Sequence, residues 1–531
     1  MTADIIAPDP ASADSATGDV FERVRAAHAA VLDDARPVEV DRQHRRGRYT
    51  ARERVRILTG GASFIEFGAL AIPDSPDGAH APGDGVVTGV GTIDGRPAAI
   101  AAFDFTVLGG SNGAVGMSKI ERCVERALRD RIPLVLLCDG GGHRIQEGLD
   151  SRLAAVGSPM LQRLVDLSGL VPTVAVMLGP GFGLATNLAA LCDFVVMVRE
   201  ISTMGMSSAP FVRAGTGEDL TNEEIGGADV QTGYGTADLA ADDEEEGIDA
   251  VRAYLSYLPS HAEGFGPRGS GRVPSAADRI DEIVPASMRR AYDVRDVLDA
   301  LADQDSVFEI RAAAAPNIVT CFIRVDGHAI GVVANQSLHL GGALDSPACE
   351  KAAHFIAVCD AFGLPLLLLV DLPGFLIGSG AEASQLGRRS GRLAYELAIA
   401  TVPRYIVVMR KAYGAAYVAM GGGRSIDADL VLAWPTAEIC AMPIESAVDI
   451  AYRRDIAAAN DPEQRRTEVI ASLREAVDPV RAAQGFGIDD VVFPRQTRAL
   501  LADALARSAS NGSGGRREPR VPGKRRSISP I

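Results

Sequence analysis

The sequence predicts an α/β protein built from two tandem domains related by internal duplication. Three observations carry this: a repeat at near-constant offset, short apolar runs alternating with helical stretches, and Gly- and Pro-bounded turns where those runs end. The repeat is the most informative of the three, because self-similarity at a fixed spacing reports two copies of one folding unit.

The stretch IDGRPAAIAAFD, with Asp94 and Gly95, is echoed by VDGHAIGVVANQ, with Asp326 and Gly327. Gly109-Gly110 returns as Gly341-Gly342, Pro133 as Pro365 and Asp139 as Asp371, each 232 residues later. VPTVAVMLGPGFG, from Val171, returns 231 residues later as VPRYIVVMRKAYG, from Val402. Within each copy an apolar run (133–137, 365–370) is too short for a helix and reads as a buried strand. An Asp and a turn follow, then a helical stretch, then a second strand ending at Gly179 or Lys411. Strands alternating with helices imply a largely parallel sheet covered on both faces. The expected boundaries are a disordered lead-in over 1–20 and an N-terminal domain over 21–265. A Gly/Pro/Ser-rich joint over 266–272 precedes a C-terminal domain over 273–507 and a basic tail over 508–531, read as flexible.

Bulk composition narrows the function. The chain has 531 residues, is 47% hydrophobic and 23% charged, and carries a formal charge of −16. A strongly acidic balance disfavours a nucleic-acid-binding face. No apolar run reaches the roughly 18 residues of a membrane span, and the N-terminus shows no signal-peptide pattern, so a cytoplasmic protein is expected. The seven cysteines, Cys123, Cys138, Cys192, Cys321, Cys349, Cys359 and Cys440, form no CxxC pair. Neither a zinc ribbon nor a disulfide framework is expected, and no metal. Of eight histidines only His143 directly follows a glycine cluster.

The candidate chemistry lies at the two strand ends GPGFGLA (179–185) and KAYGAA (411–416). Each runs from a buried strand through small residues into an apolar helix. That geometry aims unpaired backbone N–H groups and a helix N-terminus at one spot, where they can stabilise an oxyanion. Tight helix–strand packing explains the glycines of either motif equally well; their recurrence in both copies favours chemistry. GPGFGLA lacks the full GxGxxG fingerprint and no P-loop is present. No Ser/His/Asp order can be assigned, which points to an enolate held by backbone groups rather than a side-chain nucleophile.

DFTVLGG, DGGGHRIQEG, GPGFGLA, TNEEIGGADV, VVANQ, VDLPGFLIGSG, ATVPRYIVVMRKAYGAAYVAMGG and LAWPTAEICAMP follow one another along the chain. In that order they resemble the carboxyltransferase β subunits of acyl-CoA carboxylases, the propionyl-CoA type most closely. The resemblance implies two crotonase-like (ClpP/crotonase) spiral domains and a ring-shaped hexamer. It implies acyl-CoA on the N-terminal half, carboxybiotin on the C-terminal half, and an active site at a dimer interface. It places one oxyanion hole at Gly183 and Leu184 and the other at Ala415 and Ala416. Gly110, Gly142, His143 and Val418 would line the acyl-CoA site, and Pro373, Gly374, Phe375 and Tyr413 the biotin site. CO2 released from carboxybiotin would leave a basic nitrogen to take the α-proton, and the enolate would attack CO2. Biotin would arrive on a separate carrier protein, since the chain has no biotin-attachment or ATP-grasp pattern. The implied partners are a biotin carboxylase and a biotin carboxyl carrier subunit.

Five positions depart from the family pattern: Leu184 and Ala415, where the family has glycine; Gly140 and His143, the ends of a run where it has Ser-Gly-Gly-Ala; and Pro443, where it has glycine. They leave two alternatives open, a biotin-independent decarboxylase of malonyl-type thioesters and a catalytically silent scaffold. A hydratase is disfavoured, because no pair of glutamates sits at matching turns.

Overall fold

A computed structural model describes residues 15–73, 81–111, 113–140, 142, 144, 147, 149, 151, 159–510, 515–518 and 526–530. The chain divides into two compact units, one over 1–264 and one over 265–529.

The first unit is a seven-stranded mixed sheet. Its strands are β1 (Phe64–Phe67), β2 (Val86–Ile93), β3 (Arg96–Phe103), β4 (Leu134–Cys138), β5 (Thr173–Met177), β7 (Phe194–Val198) and β9 (Leu239–Ala241), in that spatial order. β1, β2 and β3 pair antiparallel, and every later pairing is parallel. β6 (Pro180–Phe182) and β8 (Thr203–Gly205) form a separate parallel pair. Every residue of β4, β5 and β7 is buried, the pattern of parallel strands covered on both faces.

The second unit repeats the plan with β10 (Phe308–Ile310), β11 (Ile318–Val325), β12 (His328–Asn335), β13 (Leu366–Leu372), β14 (Arg404–Tyr413), β15 (Leu430–Ala433) and β17 (Asp490–Val491). Here β16 (Glu438–Cys440) pairs with the far end of β14. Register is conserved as well as order. Val86 faces Phe103 and Ala99 faces Leu134, as Ile318 faces Asn335 and Gly331 faces Leu366. Asp94-Gly95 and Asp326-Gly327, all at positive φ, are the two-residue hairpin turns that the twist of antiparallel strands selects.

After β3 and β12 come equal 17-residue helices, Ala114–Asp130 and Ser346–Phe362. Each carries a buried lysine at the same place. Lys119 Nζ donates to the carbonyls of Gly83 (2.8 Å) and Val86, and Lys351 Nζ to those of Ala314 (2.9 Å) and Ile318 (2.8 Å). Burial lowers the pKa of both to about 8.

Several expectations are corrected. The lead-in read as disordered over 1–20 is helical from Ser15, in a helix that continues to Ala30. The strands expected to end at Gly179 and Lys411 end at Met177 and Tyr413. The tail read as flexible from residue 508 begins inside the helix Pro494–Ser510, and its described arginines are docked. Arg516 donates to Ala361 O at 2.9 Å, and Arg526 pairs with Asp360 at 3.1 Å and with Glu396. Ser529 O meets His354 Nδ1 at 2.9 Å. Gly and Ser content indicates freedom only where no partner exists, and here acidic groups on the sheet-covering helices supply one.

Candidate active site

Each unit holds one of the two candidate strand-to-helix turns. In the first, β6 leads through Gly183 (φ 68°) into the helix Leu184–Ala190. In the second, β14 leads through Gly414 (φ 64°) into the helix Gly414–Ala419. Amides in the first turn of a helix have no intrahelical acceptor. Those of Leu184, Ala415 and Ala416 also find no other acceptor among the described residues. Gly183 differs: its N–H donates to Gly205 O at 2.8 Å. The pair read from sequence as two donors therefore offers one, the Leu184 amide, and Gly183 supplies the bend. Thr186 fastens this bend, its hydroxyl donating to Gly181 O at 2.6 Å and accepting from Gly205 N at 2.8 Å.

The first-unit candidates come together. A Cβ on Gly110 would lie 2.2 Å from Asp139 O, and one on Gly140 would lie 2.1 Å from Gly110 O, so two backbones meet where no side chain fits. Gly140 N donates to Pro180 O at 3.3 Å, and Gly142 lies beside Phe182 O. Gly110, Gly142, Gly183 and Leu184 thus cluster beyond the ends of β4 and β6. His143 lies outside the described residues. A small apolar cavity behind the turn is lined by Cys138, Gly140, Met160, Gly181, Ala185 and Leu188, among others. A wider groove is bordered by Arg36, Glu39, Arg42, Arg46, Phe105 and Gly109, with Arg46 stacked over the Phe105 ring at 5.9 Å.

The second-unit candidates also adjoin. β13 and β14 are neighbours, with Leu372 opposite Ala412, so Pro373–Phe375 and Tyr413–Ala416 leave the sheet side by side. Leu344 bridges to this segment, its N–H donating to Gly374 O at 3.1 Å while its own carbonyl accepts from Leu376 N at 2.8 Å. Gly374 itself faces open space. Tyr413 is buried and donates its hydroxyl to Glu438 Oε2 at 2.7 Å; burial, and then this carboxylate, push the phenol well above its usual range. Val418 is 55% exposed on the helix after the turn, in this unit and not among the first-unit cluster.

Sequence reasoning missed the charges beneath both turns. Asp139 is fully buried and receives Arg54 (2.7 Å), Gln43 (3.1 Å) and Arg48 (3.4 Å), while Arg54 also pairs with buried Glu244 at 2.6 Å. Asp371, equally buried, receives Arg410 (2.8 Å) and the Lys411 amide (3.1 Å). The signal was present, since both aspartates occupy the same repeat position, but they served there only to mark register.

Comparison with known proteins agrees with this architecture. Residues 42–516 match the model of the carboxyl transferase domain. A propionyl-CoA carboxylase carboxyltransferase subunit of Haloferax mediterranei is 41% identical over 470 residues, covering 87% of this chain and 90% of that one. The methylmalonyl-CoA decarboxylase subunit alpha of Veillonella parvula is 36% identical, covering 92% of this chain and 94% of that one. A transcarboxylase 12S crystal structure, a hexamer assembly with methylmalonyl-CoA and methylmalonic acid bound, matches with a TM-score of 0.88. Its identity is 37%, and the match covers 98% of this chain and all of that one. Duplicated α/β units that match the carboxyl transferase domain and the transcarboxylase 12S structure define the class, a carboxyl-transfer core. The chain belongs to the carboxyl transferase domain family, as a carboxyltransferase subunit of the biotin-dependent acyl-CoA carboxylases and transcarboxylases.

Proposed function

We propose that the first unit binds a short-chain acyl-CoA and the second binds carboxybiotin, and that a carboxyl group passes to the acyl α-carbon. The observation that carries this is the pair of turns at equivalent repeat positions, the first presenting the Leu184 amide and the second those of Ala415 and Ala416, with no acceptor among the described residues. The Leu184 N–H would hold the thioester oxygen as it becomes an enolate, and the amides of Ala415 and Ala416 would hold the ureido oxygen. Carboxybiotin, when bound, supplies CO2 and a basic nitrogen for the α-proton. The open space at Gly374 and the exposed Ala415 leave room for a ring there. The arginines of the Arg36–Arg46 groove suit the phosphates of CoA, and the groove reaches Gly109, next to the Gly110–Gly140 contact.

The working assembly is a homo-hexamer served by separate biotin carboxylase and carrier subunits. The test is reconstitution with those partners and labelled bicarbonate across acetyl-, propionyl- and butyryl-CoA. ATP-dependent label in the acyl product is expected, and its absence for every acyl-CoA overturns the reading. Similarity to the Veillonella decarboxylase subunit favours a second reading, decarboxylation of a malonyl-type thioester. Release of CO2 from such a thioester without the biotin carboxylase would select it.

A further inference from the structure

We infer that Asp139 and Asp371 are positioning residues for the two donor turns, Asp139 fixing the turn at Leu184 and Asp371 the turn at Ala415. This rests on the assignment of the two turns in the preceding subsection and adds the groups that hold them in place.

In the first unit the Asp139 carboxylate lies against Gly179, between β5 and β6 and four residues before the Gly183 bend. A Cβ on Gly179 would fall 1.9 Å from its Oδ1. The two arginines that it gathers reach onward to the chain leading into β6 and the chain leading into β8. Arg54 Nη2 donates to Leu178 O at 3.4 Å, at the exit of β5. Arg48 Nη2 donates to Ile201 O at 2.8 Å, just before β8, whose Gly205 carbonyl takes the Gly183 amide. One carboxylate thus sets the spacing between the two backbone segments that shape the Leu184 donor.

In the second unit Asp371 acts on the strand itself. Its Oδ1 accepts the Lys411 amide at 3.1 Å, and its Oδ2 holds Arg410 through Nε (3.1 Å) and Nη2 (2.8 Å). Arg410 Nη1 is spent on the carbonyls of Ser287 (2.9 Å) and Arg290 (2.6 Å). Lys411 Nζ stands 3.6 Å from Asp371 Oδ1 and donates to Gly341 O at 3.4 Å. Arg410 and Lys411, the strand residues shortly before Tyr413 and Gly414, are therefore tied on both sides. A buried charge kept without water is costly unless fully paired. Its retention at the same repeat position, with different cations, shows that the carboxylate at this strand end is the constant and its partner the variable.

The test is kinetic and made in the reconstituted complex. Asp139→Asn and Asp371→Asn remove the charge but keep size and an acceptor. Gly179→Ala displaces the Asp139 carboxylate without changing any charge, and Arg410→Lys keeps the charge but loses the fork; these two serve where an Asn variant does not assemble. Displacing a donor by ~1 Å can cost on the order of a hundredfold in rate, so a fall in kcat/KM of roughly tenfold is expected. First-unit variants should lower kcat/KM for acyl-CoA and leave kcat/KM for the carboxylated carrier within about twofold; second-unit variants should do the reverse. Assembled variants with parental constants, or variants of both units shifting the same constant equally, overturn the inference. If the parent itself transfers no carboxyl group, the functional reading fails; if it does and the split is missing, only this inference fails.

Discussion

The two units bury the same aspartate at the same strand end and neutralise it from opposite directions. Asp139 is met by Arg54, which lies 85 residues away in the helix Ala51–Thr59 and also clamps Glu244, 190 residues further on. Asp371 is met by Arg410, 39 residues away on the adjacent strand. At the repeat position of Arg410 the first unit has Gly179, which leaves space for the Asp139 carboxylate and the Arg48 guanidinium. Duplication therefore preserved the fold and the carboxylate while rewiring the cation. One turn is secured by segments from across its unit, the other by its own strand.

The sharpest test of that contrast is removal of each arginine. Arg54→Met takes the nearest cation from two buried carboxylates at once, although Arg48 stays 3.4 Å from Asp139, so a loss of ~3–5 kcal/mol is expected. Arg410→Met should cost less, because Lys411 stays 3.6 Å from Asp371. Denaturant unfolding of the two variants checks the order, and equal losses would dissolve the distinction.

Function should follow the donors rather than the cations. Leu184→Pro and Ala415→Pro each delete one unpartnered amide near a helix start that tolerates proline. Each should lower kcat on the order of 10²-fold with oligomer size and Tm retained. If either folded variant keeps the parental rate, that turn is not a donor site.

Lys119 and Lys351 test where the units are alike. Their folded pKa of about 8 lies below the ordinary 10.5, so between those values the unfolded chain binds more protons. Each should therefore add stability as pH rises through that window, fully present above about 10.5 and lost as pH falls through 8. The buried cysteines pull the other way at high pH, because burial raises Cys123 and Cys349 to about 12. The comparison is thus parent against Lys119→Met and Lys351→Met, by unfolding at pH 7.5 and 10. Each variant should lose this rise, by similar amounts, on the order of 2–3 kcal/mol.

The smallest effect is expected at Leu184→Gly. The amide remains, so carboxyl transfer should persist, with about 0.5–1 kcal/mol of stability lost to backbone entropy. A kcat collapse there would show that the Leu184 side chain, and not its N–H, shapes the site.

Much of this was legible before any coordinates. The constant offset from Asp94 to Gly183 marked the shared strands, the paired hairpins and both turns. Beyond Gly183 the repeat continues unseen. Asp193 accepts the Thr173 amide as Asp429 accepts that of Arg404, and Asp238 that of Val195 as Asp489 that of Val431. These pairs stand 236 and 251 residues apart, because the second unit carries extra chain, including the helices Ile444–Ala451 and Pro462–Arg474 with their own small apolar cluster. A fixed offset cannot follow an insertion.

By itself, the sequence determined the α/β class, the duplication and the two glycine-rich turns, since these depend on local pattern: buried apolar runs, Asp-Gly hairpins and small residues at strand ends. Only the tertiary structure decided which amides are free. Gly183 and Leu184 are adjacent in the chain, yet the Gly205 carbonyl takes one N–H and leaves the other. The same holds for Arg54, whose role depends on carboxylates 85 and 190 residues away, and for Arg526 in the tail, which is held by Asp360 and Glu396. Hydrogen bonds and ion pairs between distant segments depend on distances that the chain sets only once it has folded.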